Sequence, residues 1–127
     1  MEHEELTRII IGCAISVHRA PGPGFLESVY RNALAHELSK AGLAVDCEQR
    51  VQVRYDGALV GDFFADMMIQ NSVLIENKAV QALNKAHEVQ LVNYLVATQI
   101  ETGLLLNFGT QRLQFKRKSR VYRRKED

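Results

Sequence analysis

The stretch that most constrains this chain is Gly61 to Val80, GDFFADMMIQNSVLIENKAV. It reads as two apolar-rich strands joined by Gln70-Asn71-Ser72, yet Asp66, Glu76 and Lys78 interrupt it. An unpaired buried charge is strongly unfavourable, so charges within strands call for a reason. Side chains alternate faces along a strand, which puts Leu74, Glu76, Lys78 and Val80 on one face. If residues 70–72 form a three-residue hairpin loop, Ile69 pairs with Val73 and Asp66 falls opposite Glu76. Directly opposed side chains have Cβ atoms about 5 Å apart. Two carboxylates that close repel unless a cation lies between them. The spacing therefore suggests a divalent-metal site with a lysine beside it. Spacing alone also permits a plainer account, in which Lys78 bridges Asp66 and Glu76 in an ion-pair cluster on an exposed sheet face.

With 127 residues, 46% hydrophobic and 24% charged, the chain suits one ordinary globular domain. No apolar run is long enough to span a bilayer, and the acidic start MEHEELTRI lacks the layout of a signal peptide. The expected location is cytoplasmic. Cys13 and Cys47 show neither metal-ligand spacing nor a disulfide framework and are expected to be buried thiols. Seven of the 16 Lys and Arg residues lie between Lys116 and Lys125, which leaves the preceding body acidic. A single domain is thus expected over residues 1–117, with a basic tail over 118–127. Lys116, Arg117, Lys118, Arg120, Arg123 and Arg124 are candidates for contact with a phosphate-rich partner, although a solvated tail explains them equally well.

Helical spacing of Leu6, Ile9, Ile10, Cys13, Ala14 and Val17 predicts a first helix over 2–18. The breaker Ala20-Pro21-Gly22-Pro23-Gly24 ends it. A second helix is expected over 26–41, closed by Gly42. Its apolar arc, centred on Tyr30, Leu34 and Leu38, includes Glu27 near one edge. Complementing the helix dipole is explanation enough for a first-turn glutamate, so periodicity leaves its role open. Strands follow over 43–55 and 58–69, joined by the hairpin signal Asp56-Gly57. In the second, Asp62, Phe64, Asp66 and Met68 are expected on one face and Phe63, Ala65, Met67 and Ile69 on the other. A third helix over 84–99 clusters His87, Gln90 and Tyr94 opposite Val89, Leu91, Val92, Leu95 and Val96. The apolar run 103–108 predicts a strand buried on both faces, and 113–117 an edge strand. The order α-α-β-β-β-α-β-β indicates a two- or three-layer α/β domain.

Asp66, Glu76-x-Lys78 and a following helix with Gln90-Leu-Val-Asn-Tyr94 together resemble the core of the PD-(D/E)XK nuclease superfamily, and the last motif is similar to the Q-x-x-x-Y of its RecB-like branch. Gly24-Phe-Leu-Glu27-Ser-Val-Tyr30 resembles the naming motif of the GxxExxY proteins, a small bacterial family within that group. The resemblance also runs through His18-x-x-x-Gly22, Ala65-Asp66, ENKA at 76–79 and GLLLNFG, and so covers nearly the whole chain. Ala65 stands where the literal motif has proline, and Glu27 stands where RecB-like nucleases place an early histidine.

The resemblance implies a restriction-endonuclease-like fold: a mixed sheet, built from a three-stranded antiparallel meander and a crossover strand, flanked by helices. It implies metal-dependent hydrolysis of nucleic acid, most naturally DNA, leaving a 5′-phosphate. Mg²⁺ or Mn²⁺ would be held by Asp66 and Glu76, helped by a backbone carbonyl near Asn77, with Glu27 completing the acidic cluster or holding a coordinated water. Lys78 would orient water and offset charge on the phosphorane, while Gln90 and Tyr94 steady it or touch the substrate. Asn77 is expected to point away and take no part. His18 and His87 as metal ligands are a weaker alternative. At this length target selection is expected to need a homodimer or a partner, and no membrane. A module that keeps the fold but only binds nucleic acid is the competing reading.

Overall fold

The computed structural model describes residues 3–120. Helix α1 (Glu4–Arg19) turns its Ile10, Ala14 and Val17 face into the core. Helix α2 (Glu27–Lys40) buries Tyr30, Leu34 and Leu38 at i, i+4 and i+8, the spacing of one helical stripe. Strands β1 (Val45–Tyr55) and β2 (Ala58–Ile69) form a long hairpin. Its tip is Asp56-Gly57, with φ of 52° and 80°, the positive pair that a type I′ turn requires. Strand β3 (Val73–Lys78) returns antiparallel to β2. Helix α3 (Lys85–Thr98) then crosses over to β4 (Thr102–Asn107), which lies parallel to β3, and β5 (Gln114–Ser119) closes the sheet antiparallel.

The sheet order is β1-β2-β3-β4-β5, a mixed sheet with the expected meander and crossover. Helices α1 and α2 pack on one face, against Met67, Ile69, Val73, Ile75, Leu104 and Leu106. Helix α3 covers the other, where Leu91, Tyr94 and Leu95 meet Met68, Leu74 and Leu105. Strand β4 is buried throughout, as its unbroken apolar run requires when both faces are covered. Among the described residues no helix is long and apolar enough to cross a membrane.

Three expectations about this frame need correction. Ala65 and Met67 do not share a face: Ala65 packs with Val51 and Met68 under α3, whereas Met67 packs under α1 and α2. On β1, Val45 and Val51 divide in the same way. Both strands change face where Glu48 adopts φ 57°, between the pairs Cys47↔Met67 and Gln49↔Ala65. Cys47 is exposed and Cys13 half-buried, because β1 is an edge strand and Cys13 lies beside the Ile10, Ala14 and Val17 stripe that α1 turns inward. Val89 and Val96 of α3 are 48% and 57% exposed, so the buried face of that helix runs through Tyr94 rather than opposite it.

Candidate active site

The polar triplet Gln70-Asn71-Ser72 does turn the chain, and Ile69 pairs with Val73, Met68 with Leu74 and Met67 with Ile75. One step further along this register lie Asp66 and Glu76. There side chains replace the ladder. The Asp66 backbone N–H donates to Glu76 Oε2 at 2.7 Å, and the Asn77 backbone N–H donates to Asp66 Oδ2 at 2.9 Å. Each carboxylate is thus anchored to the main chain of the other strand through one oxygen, while the second oxygen accepts no hydrogen bond from the described residues.

Asn77 points away from Glu76, toward Met67, as expected, and from there it still reaches Asp66. Its Nδ2 lies 3.3 Å from Asp66 Oδ2 and 3.3 Å from Met67 Sδ, leaving Oδ1 buried without a partner. The face change in β2 brings the Asp66 carboxylate to the edge of β3, within reach of both Asn77 nitrogens.

Glu76 is only 6% exposed. Burial first, and then the neighbouring Asp66 carboxylate, push its carboxyl up to about 7, against the pull of the Asp66 N–H and the Lys78 charge. The Glu27 charge adds to the upward push, which places the start of α2 within electrostatic reach. Glu27 itself is exposed, and among the described residues no three acidic, His or Cys side chains come close enough to enclose an ion. The structure therefore brings Asp66 and Glu76 together and leaves Glu27 outside the pair. Lys78 is half-buried on the same strand and makes no ion pair with the described residues. Among the described residues the bridging cluster allowed by spacing is therefore absent.

Helix α3 is set by reciprocal capping: His87 N–H donates to Asn84 Oδ1 at 3.1 Å, and Asn84 N–H donates to His87 Nδ1 at 3.2 Å. His87 is thereby used as a cap, and His18 donates from Nε2 to the Thr110 carbonyl at 2.8 Å. Tyr94 lies within electrostatic reach of both acids. Burial, then the charges of Glu76 and Asp66, push its phenol up. Gln90, one turn earlier, is exposed beside it along a cleft.

Glu27 is delivered by a loop with little regular structure. Tyr30, fully buried and stacked on Phe108 at 4.8 Å, donates its hydroxyl to the Gly22 carbonyl at 2.5 Å and accepts from the Phe25 N–H at 3.1 Å. These bonds fix both ends of the turn before Glu27. Tyr30→Phe keeps the stack and loses both bonds. It is expected to lower stability by about 1–2 kcal/mol in urea denaturation, and an unmoved midpoint would show that the loop is held otherwise.

The described basic candidates do not form one patch. Strand β5 extends to Ser119 and so absorbs Lys118, which pairs with Glu88, while Arg120 just beyond it pairs with Glu101. Arg117 lies beside Glu4 and Arg8 near α1, on the opposite face, and Lys116 is exposed. Arg123 and Arg124 lie outside the described residues. Two structural residues escaped the sequence reading. Asn107, fully buried, accepts from the Val80 and Gly109 N–H groups and donates to the Val80 carbonyl and Gln114 Oε1. Phe63 lies 6.0 Å from the Tyr94 ring. No sequence signal distinguishes either one, because each acts through a partner remote in the chain.

Comparison with known proteins agrees with this geometry. No protein of curated function matches the chain. A solved structure described as the crystal structure of SSO0001 superposes with a TM-score of 0.56 at 20% identity, over 95% of this chain and 61% of that one. That likeness speaks to the fold, and this chain spans less than two thirds of that protein's length. The family model of the PD-(D/E)XK nuclease superfamily matches residues 4–118, which include every element described above apart from the last residue of β5. With an acid pair at the divergence of β2 and β3, a lysine two residues on and a match over almost the whole fold, the chain belongs to the PD-(D/E)XK nuclease superfamily.

Proposed function

We propose that this protein is a divalent-cation-dependent phosphodiesterase that hydrolyses nucleic acid, with DNA as its substrate. The observation that carries the reading is the pair of mutually anchored carboxylates, Asp66 and Glu76, beside a lysine that makes no ion pair with the described residues. Nucleases of this superfamily typically use divalent metals, and the donor set fits one. Two carboxylates with one free oxygen each suit a hard cation that keeps several waters. Mg²⁺ or Mn²⁺ bound there would polarise the phosphate and lower the pKa of a coordinated water. Glu27, exposed and outside the pair, is suited to hold such a water rather than the ion.

The remaining chemistry falls to the chain. Water adds to phosphorus as the bond to the 3′ oxygen breaks, giving a 3′-hydroxyl and a 5′-phosphate. Lys78 donates hydrogen bonds to the non-bridging oxygens, where charge develops. Gln90 and Tyr94 line the approach and position the strand. The motif Gly24 to Tyr30 supports a finer placement with the GxxExxY proteins.

The test is incubation of labelled DNA and RNA with Mg²⁺ or Mn²⁺, run beside Lys78→Ala. Wild type should cleave, and the variant should lose about 10²- to 10³-fold, the usual effect of removing one donor to a developing oxyanion. Cleavage that survives undiminished in Lys78→Ala would sink the assignment. Binding without cleavage in both would favour a module that keeps the fold without turnover.

A further inference from the structure

Beside the acid pair, the outer half of the β1–β2 hairpin extends past the end of β3 and stands apart from α3. A cleft of about 1040 Å³ lies between them. Phe63 on the ribbon is 46% exposed, and Val89 and Val96 on the helix are 48% and 57% exposed. Tyr94 belongs both to this cleft and to the acid site, and its ring lies 6.0 Å from that of Phe63 at 32°. Arg54 and Lys85 also line it. Neither makes an ion pair with the described residues, whereas Arg50, Lys118 and Arg120 nearby are each paired with a carboxylate.

We infer that this cleft takes unpaired nucleotides, so that the substrate is a single strand or a single-stranded end rather than continuous duplex. The inference rests on the phosphodiesterase reading. A duplex keeps its base faces stacked inside and shows its surroundings mainly phosphate and groove edges, which gain nothing from an apolar wall. An unstacked base has a flat apolar face for Phe63 and a polar edge for Asn93 and Gln90. Arg54 and Lys85, neither of them ion-paired with a described residue, match the phosphates that accompany it. Tyr94 joins the two regions, so a strand bound in the cleft leads directly to Asp66 and Glu76.

The experiment measures anisotropy of fluorescein-labelled oligothymidylate and of a blunt duplex of equal length. Ca²⁺ replaces Mg²⁺, and wild type, Phe63→Ala and Phe63→Leu are compared. Wild type should bind the single strand more tightly. Both variants should weaken it by about 5- to 150-fold, the loss of one base–aromatic stack, with duplex affinity unchanged. Thermal melts that match wild type establish that the variants are folded. Preference for duplex, or single-strand affinity indifferent to Phe63, overturns the inference and leaves the phosphodiesterase reading standing. Failure to bind either nucleic acid removes both. A concentration-dependent dimer that Phe63→Ala dissociates would assign the cleft to a second copy of the chain, and likewise overturns the inference.

Discussion

Glu76→Gln is expected to stabilise the cation-free protein by about 3 kcal/mol at pH 8 and to abolish cleavage. In the folded protein the carboxyl is pushed up to about 7 from an ordinary 4.5, chiefly because it is buried. The folded state therefore binds this proton more tightly than the unfolded state does. Below pH 4.5 both states are protonated and the group contributes no slope. Between 4.5 and 7 stability falls as pH rises, and above 7 the full penalty of an ionised, buried carboxylate is in place. Glutamine removes the charge and can still accept the Asp66 N–H. Urea denaturation in EDTA at pH 5 and pH 8 measures the difference. Wild type should lose stability across that interval and the variant should lose much less. Added Mn²⁺ should stabilise wild type preferentially, because only the carboxylate attracts it strongly. Equal pH slopes in the two proteins would refute the account of Glu76 as a strained acid awaiting a cation.

Gly109→Ala is the second large effect. A Cβ there would lie 2.4 Å from the Val80 carbonyl oxygen, 2.5 Å from its nitrogen and 2.7 Å from the Ala79 carbonyl carbon. All three are backbone atoms and cannot swing aside. The Asn107 side chain ties Val80 and Gly109 together from within, so relief of the clash must break that clamp. The Phe108 N–H also donates to the Lys78 carbonyl at 2.8 Å, which links the same contact to β3. A loss of about 3 kcal/mol or more is expected, at the upper end of what overpacking costs. Calorimetry should show a melting temperature lower by about 10 °C, together with activity below wild type at temperatures where the variant is still folded. An unchanged melting temperature would show that the two segments separate freely.

The parts of this design legible in the sequence are those set by short-range rules. The polar triplet 70–72 between apolar runs fixed the hairpin register, and register alone placed Asp66 beside Glu76. Asp56-Gly57 marked its turn because few residue pairs accept two positive φ values. The face change at Glu48 was not legible, since a glutamate at φ 57° carries no mark in the sequence. Strict alternation was therefore carried too far along β2, and Ala65 was misplaced, whereas along β3 it holds and sends Asn77 away from Glu76. The third helix shows a related limit. Periodicity groups its apolar residues, but what stands opposite each face is decided by the rest of the fold, and opposite Val89 and Val96 there is a cleft. The run of basic residues likewise hid a strand, whose alternation sends Arg117 to one side and Lys118 to the other.

The anchoring of the two acids has a consequence for the order in which the centre assembles. Asp66 and Glu76 lie on adjoining strands of one tight hairpin, so little chain entropy is lost in bringing them together. Their mutual hydrogen bonds need only that hairpin to form. Glu27 comes within electrostatic reach of Glu76 only after α2 has docked and Tyr30 has stacked on Phe108, a contact across most of the chain. The acid pair is thus a local product of folding, and the residue beside it a late one.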